Sequence, residues 1–105
     1  MSDRSPTGKQ KAVVFPRQQR ILDTLGEHIC LARSRRNITQ KMMSQRTGLN
    51  PKTIRKIELG DPGVSVGHYL SVLSVLKLSE NILKVASDDE LGRKLDDIKT
   101  LAGRS

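Results

Sequence analysis

From His28 to Ile57 the chain carries eight arginines and lysines and not one aspartate or glutamate. Like charges at this density repel one another, so Arg33, Arg35, Arg36, Lys41, Arg46, Lys52, Arg55 and Lys56 are expected to face a polyanion. The punctuation inside the block constrains the fold further. Thr39-Gln40 opens a short apolar-periodic segment, Gly48 interrupts it, and Asn50-Pro51 opens a second that ends at Leu59-Gly60. Helix, tight turn and helix is the reading.

The flanking sequence completes a helical set. Pro16 fits a first helical turn, and Ile21, Leu25, Ile29 and Ala32 recur every three or four positions, which predicts a helix to about Arg36. Thr39 is the expected N-cap of the second helix, with Met43 and Thr47 turned inward and Gly48 as its stop. Asn50 caps the third, in which Ile54 and Ile57 face the core while Lys52, Thr53, Arg55 and Lys56 face out. Asp61-Pro62-Gly63 forces a turn, Ser65 caps a fourth helix with the stripe Val66, Tyr69, Val72, Leu73 and Leu76, and Ser79 starts a fifth with Ile82, Leu83 and Ala86. Ser87-Asp88-Asp89-Glu90 has the composition of another helix start, after which Leu91, Leu95 and Ile98 share a side. The domain plan is a flexible N-terminal arm over 1–15, a folded unit over 16–87 and a C-terminal extension, helical in pattern, over 88–105. Within the arm, Val13-Val14-Phe15 is expected to dock as a short strand or hydrophobic peg, a second copy of the chain being one acceptor.

Composition excludes several classes. The chain of 105 residues has a net charge of +8, which favours a nucleic acid or an anionic surface as partner. Its longest uninterrupted apolar run is Ile29 to Ala32, far short of the roughly 20 residues of a membrane span. The polar start has no apolar central region, so no signal peptide and a cytoplasmic location are expected. A single cysteine, Cys30, makes no internal disulfide and no zinc cluster. An enzyme needs a convergent acid/base set, but the two histidines, His28 and His68, read as surface or packing residues, Met42 and Met43 as core and rim, and the acids gather near the C-terminus. No catalytic residue, metal or cofactor is therefore expected. RNA is the closer rival to DNA, yet Phe15 and Tyr69 are the only aromatic residues available for base stacking.

Leu25 to Arg33 (LGEHICLAR), Thr39-Gln40, Gly48, Ile54, Ile57-Glu58 and Gly60 together resemble the Xre/Cro-repressor family over roughly residues 24 to 80. The resemblance implies an all-α, five-helix, lambda-repressor-like helix-turn-helix domain, here with an N-terminal arm and a C-terminal helical extension. It implies that Gln40 contacts a phosphate or base edge, and that Asn50, Pro51, Lys52, Thr53 and Lys56 read bases or grip flanking phosphates. It also implies a structural ion pair between Arg33 and Glu58. Phosphate anchors would be Arg35, Arg36, Lys41, Arg46 and Arg55, with Ser65 at a helix N-terminus. Some repressors of the family place an arginine near the start of helix 4 for the minor groove. Here that stretch reads Val64-Ser65-Val66-Gly67-His68, so no such reading is expected from it.

A narrower resemblance runs through Gly60 to Gly67 (GDPGVSVG), Tyr69 to Leu73 (YLSVL) and Asp89 to Leu95 (DELGRKL). These segments are similar to HipB-like antitoxins, the autorepressors of type II toxin-antitoxin operons encoded beside HipA-like serine/threonine kinase toxins. The implied activity is repression by a homodimer bound to an inverted-repeat operator in double-stranded DNA, with the kinase toxin as a second partner. Dimer contacts are expected from Leu83, Leu91, Leu95 and Ile98, with Val13 to Phe15 as a rival. The alternatives are a phage-type or general Xre regulator without a toxin, and a protein-interaction or RNA-binding module.

Overall fold

The computed structural model describes residues 12–87 and 90–103, without the Leu91 side chain. All regular structure among these residues is helical: α1 (Pro16–Arg35), α2 (Gln40–Thr47), α3 (Pro51–Glu58), α4 (Val66–Val75), a 3-10 helix (Ser79–Lys84), α5 (Glu90–Gly92), a π-helical turn (Arg93–Asp97) and α6 (Ile98–Gly103). Gly92 and Ile98 both hold right-handed helical dihedrals, so 90–103 forms one continuous helical segment.

Helices α2, α3 and α4 each start on a residue whose side chain satisfies a free N–H group. The Oγ1 of Thr39 accepts from the Met42 N–H at 3.0 Å, the Oδ1 of Asn50 from Lys52 at 2.8 Å, and the Oγ of Ser65 from His68 at 3.2 Å. Pro51 occupies the first helical position, where its missing N–H costs nothing. At α1 the Gln18 side chain reaches back to accept from the Phe15 N–H at 3.0 Å, which places Phe15 as the cap residue.

These elements enclose one core of Ile29, Ala32, Ile38, Met43, Ile54, Ile57, Tyr69, Val72, Leu73 and Leu76. The tightest packing lies between α1 and the end of α3. A Cβ on Gly26 would stand 2.5 Å from the Glu58 carbonyl oxygen, and one on Gly60 would stand 2.7 Å from the backbone of Leu22. Gly60 also holds a left-handed φ of 76°, so it reverses the chain at the only distance that lets α3 close on α1. The Gln19 Nε2 fastens this seam by donating to the Gly60 carbonyl at 2.9 Å and to the Asp23 Oδ1 at 2.8 Å.

Four expectations of the apolar pattern are corrected. Ile21 is exposed, because the Gly60 backbone closes over Leu22 and Asp23 and Ile21 lies about 100° around the helix from Leu22. Val66 is exposed in the first turn of α4, beyond the buried set that begins at Tyr69. The fifth helix is a six-residue 3-10 segment rather than an α-helix; Ile82 and Leu83 are exposed, and Ala86 leaves helical geometry with φ of 67°. Val13 and Phe15 are exposed, Val14 is half-buried, and the segment forms no strand. The rest of the arm and the Asp88-Asp89 helix start lie outside the described residues.

Candidate nucleic-acid interface

The turn between α2 and α3 is closed by its own side chains. Gly48 takes φ of 77° and donates its N–H to the Ser44 carbonyl at 2.9 Å, ending α2 in a left-handed cap. The Ser44 hydroxyl donates to the Leu49 carbonyl. Thr47 donates to the Met43 carbonyl at 2.8 Å and accepts from the Leu49 N–H at 3.1 Å. With Met43 and Ile54 fully buried on either side, the angle between the two helices is fixed by hydrogen bonds and core packing together. Ser44 escaped the sequence reading; an inward-facing serine in a short helix leaves no distinguishing pattern.

A second fixture holds the far end of α3. The Arg33 Nε and Nη2 donate to the two carboxylate oxygens of Glu58 at 2.6 and 3.0 Å, a bidentate pair with side chains 13% and 6% exposed. The Arg33 Nη1 donates to the Ile38 carbonyl at 2.8 Å, and the Gln40 Nε2 donates to Glu58 Oε1 at 2.9 Å. One guanidinium and one carboxylate thus join α1, the α1–α2 connection, the first residue of α2 and the last of α3. Burial works against the Glu58 carboxylate, but the hydrogen bonds from Arg33 and Gln40 and the positive charge outweigh it, and its pKa lies below the ordinary glutamate value. Arg33 shifts upward, chiefly through its hydrogen bond to Glu58.

Between these fixtures the cationic side chains point outward. Lys52, Arg55 and Lys56 are exposed at the spacing of one helical face of α3, and Thr53 is half-buried beside them. Asn50 and Pro51 sit exposed at the start of α3, although the Asn50 side-chain oxygen Oδ1 is already engaged as a cap. Lys41 and Arg46 are exposed on α2, Arg35 and Arg36 at the end of α1, and Ser65 at the start of α4. Arg36 donates one Nη1 bond to the Ala32 carbonyl at 2.8 Å, capping its own helix. Gln40 is half-buried, and its bond to Glu58 uses one of its two amide N–H groups. Leu83, Leu95 and Ile98 lie exposed, remote in sequence from the cationic face.

The arrangement presents a rigid eight-residue helix whose outward positions are cationic and long enough to hydrogen-bond, flanked by further cations for a backbone of phosphates. Among the described residues no group of three or more histidines, cysteines or acids is placed to hold a metal, and no helix is long and apolar enough to cross a membrane. Residues 31–83, just over half of the chain, match the protein family described as helix-turn-helix. No curated protein matches the chain.

Proposed function

The chain belongs to the helix-turn-helix family, of Xre/Cro type, whose domains bind DNA and regulate transcription, and on that premise we propose that it is a sequence-specific repressor acting by occupancy of its operator. The observation that carries the proposal is the row Lys52, Arg55 and Lys56 on the exposed face of a helix capped at both ends. In this reading α3 lies in the major groove, where Lys52 and Lys56 donate to guanine O6 or N7 and Asn50, Pro51 and Thr53 contact neighbouring base edges. Gln40, held by its bond to Glu58, supplies its remaining N–H to a base or phosphate in this reading. Arg35, Arg36, Lys41, Arg46, Arg55 and Ser65 hold the flanking phosphates.

Two protomers, joined through Leu83, Leu91, Leu95 and Ile98, present two copies of α3 about 34 to 36 Å apart to successive major grooves, so the operator is an inverted repeat. The segments Gly60 to Gly67, Tyr69 to Leu73 and Asp89 to Leu95 support a narrower role as the antitoxin and autorepressor of a HipBA-like operon. The second partner is then a HipA-like serine/threonine kinase toxin. Such a protein works in the bacterial cytoplasm and carries no catalytic chemistry of its own.

The test is a salt titration of binding to the DNA upstream of its own gene, with scrambled duplex and single-stranded RNA as competitors. Preference for the upstream duplex at physiological salt is expected. Binding that is blind to sequence and vanishes with salt would overturn the repressor reading. Co-purification with the product of the adjacent gene tests the antitoxin role separately; its failure would leave a general Xre regulator.

A further inference from the structure

The outward row of α3 ends on a leucine. Leu59 lies seven positions beyond Lys52, close to two helical turns, so it falls within about 20° of Lys52 around the helix axis, between Arg55 on one side and Lys56 on the other. It is 63% exposed, whereas Ile54 and Ile57 on the opposite side are fully buried. As the C-cap of α3 it still donates its N–H to the Arg55 carbonyl at 3.0 Å, which keeps its Cα in the helical path.

Single leucines on a surface are ordinary. This one differs in how it is held. Both of its chain neighbours are anchored inward: Glu58 is tied to Arg33 and Gln40, and the backbone of Gly60 rests on Leu22, where a Cβ would stand 2.7 Å away. The Gly60 and Asp61 N–H groups donate to the Ile57 and Lys56 carbonyls, each at 3.0 Å, and close the helix end. The Cα of Leu59 is therefore fixed from both sides, and its side chain projects in the same direction as the cations.

We infer that Leu59 is a specificity-determining residue that packs on the 5-methyl group of a thymine in the major groove. The inference rests on the reading of α3 as the recognition helix. Among the base edges in that groove, thymine presents a methyl group, and a side chain without hydrogen-bonding atoms discriminates by touching it. Lys52, Arg55 and Lys56 around the leucine choose duplex DNA over an apolar protein partner, which would have to bury three positive charges along with it. Lys52 and Leu59 lie about 10 Å apart along the axis, about three base steps of 3.4 Å, so a half-site read by both carries its guanine and its thymine about three pairs apart.

Removing methyl groups from the DNA tests it. In the upstream duplex of the salt titration, thymines are replaced by deoxyuridine one position at a time, and binding is measured for the wild type, Leu59→Ala and Leu59→Met. One position should weaken wild-type binding about fourfold per half-site, the worth of one buried methyl. Leu59→Met, still apolar, should keep that sensitivity. Leu59→Ala should bind the unmodified duplex about fourfold more weakly per half-site and no longer respond to deoxyuridine at that position. Its affinity for random duplex should equal that of the wild type, which separates a lost base contact from a lost fold; an equal loss on random DNA would overturn the assignment. Methyl sensitivity that persists in Leu59→Ala would give the thymine to another residue. Preference for the upstream duplex without any methyl-sensitive position would overturn this inference alone, whereas a wild type with no such preference would overturn the repressor reading together with it.

Discussion

Removing the Glu58 carboxylate strands the Arg33 guanidinium among α1, α2 and α3 with only its bonds to the Ile38 carbonyl and the Cys30 Sγ. Breaking a buried pair in this way costs about 3 to 5 kcal/mol, and the slight exposure of Arg33 puts Glu58→Ala near about 3 kcal/mol, measurable by urea unfolding. Acid should act through the same atom. Because the folded-state pKa of Glu58 lies below the unfolded one, its contribution is complete above about pH 4.3, the ordinary glutamate value, and is lost as pH falls from there through the folded value. The pH dependence of unfolding over this acidic window should therefore be shallower in Glu58→Gln than in the wild type. An equal dependence would remove Glu58 from the explanation. Neither partner is announced by local periodicity, since they lie 25 positions apart; only the family resemblance couples them in the sequence.

At the scale of the elements, two glycines separate packing from backbone conformation. Gly26 has ordinary helical φ, but its missing Cβ is where the α3 terminus rests; Gly48 has open space around it and a left-handed φ. Gly26→Ala should lose about 1 to 3 kcal/mol by overpacking, although alanine favours a helix by about 1 kcal/mol over glycine. Gly48→Ala should lose about 1 kcal/mol from the left-handed conformation alone. Denaturation midpoints rank the two, and a harmless Gly26→Ala would show that the seam yields. The ends of α2, α3 and α4 were legible because Thr39, Gly48, Asn50 and Ser65 act on their immediate neighbours. Ile21, Val66 and Ile82 misled because an apolar stripe states which residues share a face and says nothing of how far the opposing element extends. Gly26 and Ile38 were missed for the complementary reason: a helical glycine and a lone isoleucine between helices carry no period, and their close contacts come from elsewhere in the chain.

For the whole molecule, the sign and magnitude of charge set how binding responds to salt. If each protomer neutralises about four phosphates, the logarithm of affinity should fall against that of salt with a slope near about −7 for the dimer. Lys41→Ala should weaken operator and random DNA alike and flatten that slope. Lys52→Ala or Lys56→Ala should instead reduce discrimination by about 1 to 3 kcal/mol per base contact, and equal losses on both DNAs would reassign the lysine to a phosphate. Helix α3, at eight residues, is too short to persist in water without its neighbours, so its shape is a property of the core rather than of its own outward side chains. The side chains of Lys52, Arg55 and Lys56 hold no hydrogen bond or ion pair among the described residues, while Ile54, Ile57 and Glu58 between and beyond them are committed inward. The two alphabets written on this helix are thus independent. Its outward letters can be rewritten one at a time, so that a duplicated copy can drift to a new operator without ever passing through an unfolded ancestor.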